Sequence, residues 1–238
     1  MNKVLYFSPT GSTAKIADYA AKYLNIEAID LTTLAARESF NYSLNYEYIV
    51  LCFPVYSQNI PKIVLDIIKK LRTKQIIFLA SYGRMSMGDV LNEAKEIFKN
   101  HTKVIGGAYI PTKHTYKDGK YFQDYSKLNP LLDKITKKEN NEVVFPKLKK
   151  NLFSNFFPLS RSRIGVKIKT TQNCNECNRC AQVCPTNSIS KGIIKNKTCI
   201  RCLSCYVNCP YSGLEVKYSI FLKAYLKKDK LKKFIIYT

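Results

Sequence analysis

The amino-acid sequence predicts an α/β protein with a doubly wound, parallel sheet of five strands, followed by a small α+β domain rich in cysteine. Two observations support this prediction. Strand-like and helix-like segments alternate through residues 1–145, which is typical of a parallel sheet with helices on both faces. Eight of the nine cysteines then lie within residues 174–209. A chain of 238 residues has room for both units.

Hydrophobic periodicity predicts the individual elements in order along the chain. Residues 3–8 form a β-rich run, and residues 13–24 place Ile16, Tyr19, Ala20 and Tyr23 on one helical face. Further strands are predicted at residues 26–31, 48–53, 75–81 and 103–110. Further helices are predicted at residues 62–71, 89–100 and 128–138.

The clustered cysteines form two copies of the run C-x2-C-x2-C-x3-C-P. The first copy is Cys174, Cys177, Cys180 and Cys184, and the second is Cys199, Cys202, Cys205 and Cys209. This run resembles the ligand pattern of two-cluster bacterial ferredoxins, in which the fourth cysteine of each run binds the other cluster. The sequence therefore predicts two [4Fe-4S] clusters with interleaved ligands. One set is Cys174, Cys177, Cys180 and Cys209, and the other is Cys184, Cys199, Cys202 and Cys205.

Zinc binding and disulfide bonds are the alternatives for these cysteines. Structural zinc is usually bound by two separated pairs of ligands, which a run of three followed by C-P serves poorly. Disulfides need an oxidising compartment, and residues 1–5 lead into a strand-like run without the pattern of a secretion signal. The sequence therefore favours reduced thiols in the cytoplasm. Cys52 is expected to be a small buried hydrophobe.

The loops after strands one, three and four are the candidate ligand site, because doubly wound sheets bind ligands at the carboxyl ends of their strands. The first loop offers hydroxyl and backbone donors at a helix start, which can bind phosphate, although a simple helix cap is the alternative. Its candidate residues are Ser8, Thr10, Gly11, Ser12 and Thr13. The later loops are expected to line a flat ring through Pro54, Val55, Tyr56, Ser57, Tyr82 and Gly83. Ordinary packing is the alternative for either tyrosine.

Residues 1 to about 140 resemble a flavodoxin, whose S/T-x-T-G-x-T loop holds the phosphate of FMN and whose two later loops flank the isoalloxazine ring. The resemblance implies FMN as cofactor and the strand order 2-1-3-4-5. The whole chain resembles the flavodoxin-plus-ferredoxin fusions of the EFR1-type ferredoxin family. It departs from common ferredoxins at Asn178 and Leu203, where glycine often follows the second cysteine, and leucine adopts left-handed geometry poorly.

Positive charge is concentrated in the C-terminal part of the chain. The net charge is +22, of which residues 1–145 carry +6 and residues 146–238 carry +16. An acidic redox protein is therefore the expected partner, with peripheral contact to an anionic membrane as an alternative. Lysine-biased composition accounts for much of the excess. Nucleic acid is disfavoured, because aromatic and basic residues do not interleave, and no apolar stretch approaches the roughly 20 residues of a membrane span.

The expected organisation is a flavin domain (1–145), a basic linker (146–163), a two-cluster domain (164–216) and a basic tail (217–238), for which an added helix is the simplest interpretation. The combination predicts an electron carrier or oxidoreductase of anaerobic metabolism that links FMN to the clusters. The alternatives are a flavin-dependent reductase of a small molecule and a regulatory or nucleic-acid-binding protein. His114, past the fifth strand, is either a surface histidine, which is the commoner case, or a residue that meets the flavin or substrate.

Overall fold

The computed structural model describes residues 2–98, 102–117, 121, 124–151, 158–227 and 233–238. The strands are β1 (Asn2–Tyr6), β2 (Ala28–Asp30), β3 (Asn45–Pro54), β4 (Arg72–Tyr82), β5 (Lys103–Pro111), β6 (Val166–Thr170), β7 (Ile189–Ser190), β8 (Ile193–Ile194), β9 (Leu214–Tyr218) and β10 (Ile235–Tyr237). The helices are α1 (Ser12–Leu24), α2 (Leu34–Ser39), α3 (Lys62–Ile68), α4 (Val90–Phe98), α5 (Asn129–Thr136), α6 (Pro158–Gly165), α7 (Arg179–Gln182), α8 (Ser204–Val207) and α9 (Ile220–Leu226). A 3-10 turn, Tyr125–Leu128, precedes α5.

The main sheet confirms the predicted flavodoxin-like order. Strands β2, β1, β3, β4 and β5 are neighbours in that sequence and all pair in parallel. The sheet has six strands rather than the predicted five, because β10 pairs antiparallel with β5, with Ile235 opposite Tyr109. The open edge of β5 provides backbone partners for this short C-terminal segment. The tail therefore contains a strand as well as the expected helix.

The core lies on both faces of the sheet, as expected for buried parallel strands. On one face Val4 packs with Ile16 of α1 and Leu131 of α5. On the other face Leu5 packs with residues of α3 and α4. Cys52 is fully buried in β3, as expected for a small hydrophobe. The site is thus built on the carboxyl edge of a sheet whose strands are fixed from both sides.

The cysteine-rich domain contains two small antiparallel pairs, β6 with β9 and β7 with β8. The segment before it lies along the sheet domain: the Leu148 amide donates to Asp89, and the Asn151 amide donates to Gln58. Among the described residues, no helix combines the length and apolarity needed to cross a membrane.

Candidate functional site

A cavity of about 390 Å³ lies at the carboxyl edge of the parallel sheet, between the sheet domain and the cysteine-rich domain. This size is typical of a small-molecule site, for which roughly 300–1,000 Å³ is usual. We call it the interdomain cavity. Its sheet-domain wall includes Ser8, Thr10, Ser12, Thr13, Pro54, Val55, Tyr56, Ser57 and Gly83. Its opposite wall includes Ile200, Arg201, Cys202, Leu222 and Tyr225.

The conformation of the first loop depends on the glycine at position 11. Gly11 caps α1 in the left-handed region, with φ of 83°, where residues with a side chain are strained. The Ser8 hydroxyl accepts a hydrogen bond from the Ala14 amide at 2.8 Å. This leaves the hydroxyl proton of Ser8 free to be donated, because a hydroxyl can accept and donate at once. The loop therefore folds back over the start of α1.

Donors from this loop converge on the cavity at the N-terminus of α1. Among the described residues, the amides of Thr10, Ser12 and Thr13 have no acceptor within the chain. The Thr13 hydroxyl lies 2.7 Å from the Ser81 hydroxyl, so it ties the first loop to the end of β4. Free amides at the positive end of a helix suit an anion such as a phosphate group. The donor set therefore fits a phosphate group.

The second loop is a tight turn with a strained backbone. Tyr56 and Asn59 exchange both backbone hydrogen bonds, at 3.0 and 2.9 Å. Between them Ser57 and Gln58 have φ of 49° and 69°, which is unfavourable for residues with side chains. A Cβ atom on Gly88 would lie 2.1 Å from the Gln58 carbonyl oxygen. The third loop, which follows β4 and contains Gly88, can therefore approach the turn at Gln58 only because residue 88 is a glycine. Strain of this kind often accompanies ligand sites.

At the end of β4, where the third loop begins, Tyr82 and Gly83 lie in different environments. Tyr82 was expected to line the ring site, but it is fully buried and its hydroxyl donates to the Lys233 carbonyl at 2.6 Å. It packs beneath the C-terminal segment instead. Gly83 does line the cavity. A Cβ atom at this position would lie 2.5 Å from Cδ2 of His114, so this glycine makes room for the histidine.

His114 belongs to the cavity wall, although a surface position was the commoner expectation. Its Nδ1 accepts from the Tyr116 amide at 3.1 Å, which leaves the neutral ring with its proton on Nε2. Burial, together with the smaller effects of the nearby charges of Lys117 and Arg84, lowers the pKa of His114 to about 4. The imidazole is therefore a neutral hydrogen-bond donor at physiological pH.

The cysteines are gathered in two groups that follow the predicted interleaving. Cys184, Cys199, Cys202 and Cys205 line one small cavity, which we call the inner cysteine site. Cys174, Cys177, Cys180 and Cys209 line another, which we call the outer cysteine site. In each group three thiols of one run meet the fourth thiol of the other run. This arrangement fits two four-iron cubes, whose corners require four thiolates around a volume rather than around a single ion.

The two cysteine runs share a strained backbone at equivalent positions. The left-handed residues are Glu176 and Arg201 (φ 58° and 57°), Asn178 and Leu203 (61° and 63°), and Asn187 and Ser212 (49° and 50°). Leucine is particularly unfavourable in this region, so the loop geometry imposes the conformation on both runs alike. Because Asn178 and Leu203 replace glycine at these positions, the backbone around the thiols is strained.

Backbone donors also recur around the sulfur atoms. The Ser188 amide donates to the Cys184 sulfur and the Gly213 amide to the Cys209 sulfur, both at 3.2 Å. Such bonds stabilise thiolates that bind iron. Burial raises the pKa of Cys205 to about 12, with added repulsion from Cys199 and Cys184. The Cys205 thiol therefore ionises readily only when a cationic centre compensates its charge.

The inner cysteine site adjoins the interdomain cavity. Ile200 and Cys202 line both. The Tyr116 hydroxyl donates to the Arg201 carbonyl at 2.7 Å, which links the sheet domain to the second cysteine run. Burial raises the pKa of Tyr56, and the nearby Cys202 and Tyr116 contribute to the shift. The sequence did not indicate Tyr116 or Arg201 as site residues, because only the tertiary structure brings them to the cavity.

The cysteine-rich segment is similar to known iron–sulfur proteins. Residues 168–190 match the family described as "4Fe-4S binding domain". Over 67 residues the chain is 40% identical to the electron transport protein HydN of Escherichia coli strain K12, a match covering 26% of this chain and 38% of HydN. The chain therefore spans well under half the length of the relatives that it matches.

The sheet domain is similar to solved flavodoxins. The two-electron reduced flavodoxin of Megasphaera elsdenii has 22% identity and a TM-score of 0.38, over 46% of this chain and 85% of that one. A flavodoxin from the domain Archaea has 18% identity and a TM-score of 0.44, over 58% of this chain and 96% of that one. At these values the likeness carries no argument about a ligand. The strand pairing by itself defines the flavodoxin-like order. The chain thus joins a flavodoxin-like domain to a ferredoxin-type 4Fe-4S binding domain.

Proposed function

We propose that this chain is an iron–sulfur flavoprotein that transfers electrons between FMN and two [4Fe-4S] clusters. The observation that carries the proposal is the wall shared by the interdomain cavity and the inner cysteine site, at Ile200 and Cys202. A flavin accepts or donates one or two electrons, whereas each cluster passes one at a time. The similarity to HydN, an electron transport protein, supports the same class of function.

Residues of the chain have separate roles in this proposal. The first loop, with the amides of Thr10, Ser12 and Thr13, binds the phosphate. Tyr56 and the neutral His114 form the wall around the flavin ring. The inner and outer cysteine sites each hold one cluster through the interleaved ligand sets. Membership of the EFR1-type fusions, a cytoplasmic location and an acidic redox partner belong to the same proposal.

Anaerobic purification with cofactor analysis tests this function. We expect one FMN per chain, together with iron and sulfide equivalent to two four-iron clusters. After rapid reduction of the clusters, the rate of flavin bleaching should not depend on protein concentration and should change little with salt, because screening acts on diffusional encounters rather than on a fixed contact. Stoichiometric zinc, a preference for FAD, or bleaching that accelerates with protein concentration would contradict the proposal.

A variant of the first loop tests the flavin site separately. Gly11→Val should relax the loop out of its left-handed conformation, and restoring that conformation costs about 1–3 kcal/mol. FMN binding should therefore weaken by roughly tenfold to a hundredfold. A Cβ atom at Gly11 meets nothing within 4 Å, so the effect is conformational and not a clash. Gly11→Asn is the matched control, because asparagine tolerates left-handed geometry. Equal FMN affinity in both variants would contradict this role of the loop.

A second candidate function is reduction of a small molecule at the flavin. Leu222 and Tyr225 of α9 line the cavity on the side opposite the sheet, where they would hinder a protein partner more than a small one. Under this alternative, turnover of quinones or nitroaromatic compounds should accelerate when Tyr225 is shortened to alanine. A carrier that serves only proteins should show no such gain.

A further inference from the structure

Arg37 of α2 connects the sheet domain to the cysteine-rich domain through three carbonyl groups. Its Nη1 donates to the carbonyls of Leu31 and Thr32, at 3.1 and 2.6 Å, and its Nη2 donates to the Pro185 carbonyl at 2.5 Å. A guanidinium group can bind several acceptors at once because its donors have a fixed, forked geometry. The side chain therefore holds the segment after β2 and the cysteine-rich domain at one spacing.

Each end of this connection lies next to a part of the candidate site. On one side, the Thr32 hydroxyl accepts a hydrogen bond from the Ser8 amide at 2.8 Å, and Ser8 belongs to the first loop. On the other side, Pro185 directly follows Cys184, the one thiol that the first cysteine run contributes to the inner cysteine site. A short chain of hydrogen bonds therefore runs from the first loop to the residue beside an inner-site ligand.

We propose that Arg37 couples the inner cluster to flavin binding, so that each favours the binding of the other. The inference rests on the proposed function, because FMN must bind the first loop and a cluster must occupy the inner cysteine site. A bound cluster fixes Cys184 and thereby keeps the Pro185 carbonyl within reach of Arg37. Arg37 in turn holds Thr32, so the first loop is ordered before the phosphate arrives, which lowers the entropic cost of binding.

This coupling acts in both directions. Linked binding equilibria are reciprocal, so FMN should favour the inner cluster by the same factor by which the cluster favours FMN. Arg37 lines neither the interdomain cavity nor the inner cysteine site. It is therefore a positioning residue, which acts on both groups through Thr32 and Pro185.

A thermodynamic cycle of FMN affinities tests the coupling. The inner cluster is removed by the double variant Cys199→Ala with Cys205→Ala, because these thiols line the inner cysteine site and not the interdomain cavity. FMN dissociation constants are measured by anaerobic fluorescence titration of flavin-depleted protein, with and without Arg37→Gln. Removing the cluster should weaken FMN binding roughly fivefold or more when Arg37 is present, and less than about twofold in Arg37→Gln.

Two further variants separate the connection from general effects of charge. Arg72→Gln is the matched control, because it removes the same charge from an exposed position at the start of β4, the end of the strand opposite the site. It should retain the full coupling. Thr32→Val removes the hydroxyl that accepts the Ser8 amide and leaves Arg37 in place. It should lose the coupling, and it takes the place of Arg37→Gln in the cycle if that variant does not fold.

Two outcomes would overturn the inference and leave the proposed function intact. In the first, the FMN affinity of the chain with Arg37 does not depend on the inner cluster. In the second, Arg37→Gln weakens FMN binding by the same factor with and without the cluster, so that Arg37 acts only on the loop beside it. If the wild type takes up no FMN or holds no inner cluster, the inference and the proposed function fail together.

Discussion

The inner and outer cysteine sites have similar backbone conformations but different surroundings. In the inner site Cys184, Cys202 and Cys205 are buried. In the outer site Cys177 is exposed, and its three companions are half-buried. The inner site adjoins the interdomain cavity, whereas the outer site is lined by exposed residues such as Glu176 and Arg179. Two copies of one local motif have thus been given different environments by the rest of the chain.

This difference indicates an order for electron transfer within the proposed function. A protein partner can approach the outer site, where a thiol lies at the surface. The flavin in the interdomain cavity exchanges electrons with the inner cluster, through the wall at Cys202. Hydrogen bonding, burial and solvent exposure set cluster potentials, so the two sites should also differ in potential. The direction of net flow then depends on the partner.

The largest expected effect tests which cysteines of the two runs bind the same cluster. Cys184→Ala should remove the cluster of the inner site and leave the outer cluster in place, although Cys184 follows Cys174, Cys177 and Cys180 in the chain. About half of the iron and sulfide should be lost, and the remaining cluster should keep its electron paramagnetic resonance signature. Cys209→Ala should do the converse.

Cys52→Ala is the control for the loss of a buried cysteine, because Cys52 lies within β3 away from both sites. It should retain all of its iron. If Cys184→Ala instead removed the cluster held by its sequence neighbours, the inner and outer sites would not be the units described above, and the comparison would fail.

The next effect sharpens the assignment of the outer site to external partners. Arg179 and Lys191 are exposed beside it. Reversing both charges with Arg179→Glu and Lys191→Glu should slow reduction by an acidic ferredoxin about tenfold at low ionic strength, since local charge steers encounter. The difference should shrink as salt rises. Stopped-flow rates with the reduced donor provide the measurement.

Lys15→Glu with Lys69→Glu is the matched control, because it reverses the same charge at exposed positions of the sheet domain. Those positions are remote from the outer site in sequence and lie on α1 and after α3. If both double variants slow the reaction equally, overall charge governs the encounter and the outer site has no special role.

The fold and the cysteine groups were predictable because local patterns determine them. Alternating periodicity gave the five parallel strands, and cysteine spacing gave the interleaved groups. Strand β10 was missed because three residues are too few to show a period, and its pairing depends on the free edge of β5. An aromatic residue in a loop has the same pattern whether it packs or binds. Tyr82 therefore could not be distinguished from Tyr56, since its partner Lys233 is 151 residues away in the chain.

Arg201 shows the same limit within the site. Its position before Cys202 is visible in the sequence, but surface lysines and arginines are numerous in this basic chain. Its burial and the hydrogen bond from the Tyr116 hydroxyl to its carbonyl both depend on the tertiary structure. The residues that connect the domains are therefore the ones that sequence patterns do not reveal.

The smallest expected effect tests whether the wall near the inner site excludes water. His114 has a pKa lowered to about 4, chiefly by burial, with Lys117 and Arg84 nearby. An unfolded histidine has a pKa of about 6.5. Between these values the unfolded chain binds a proton that the folded chain does not, so the contribution of neutral His114 to stability is complete above pH 6.5 and declines as the pH falls towards 4.

At pH 5 the wild type should therefore lose about 2 kcal/mol that a His114→Gln variant does not lose. Thermal unfolding of both proteins under anaerobic conditions at pH 7.5 and pH 5 measures this, with the difference in Tm as the readout. The variant has no titrating group at this position, so its Tm should rise relative to that of the wild type as the pH falls. If the difference in Tm is the same at both values, His114 is accessible to water in the folded protein. The inner side of the molecule would then be no more protected than the outer side, and the contrast between the two cysteine sites would rest on the thiols alone.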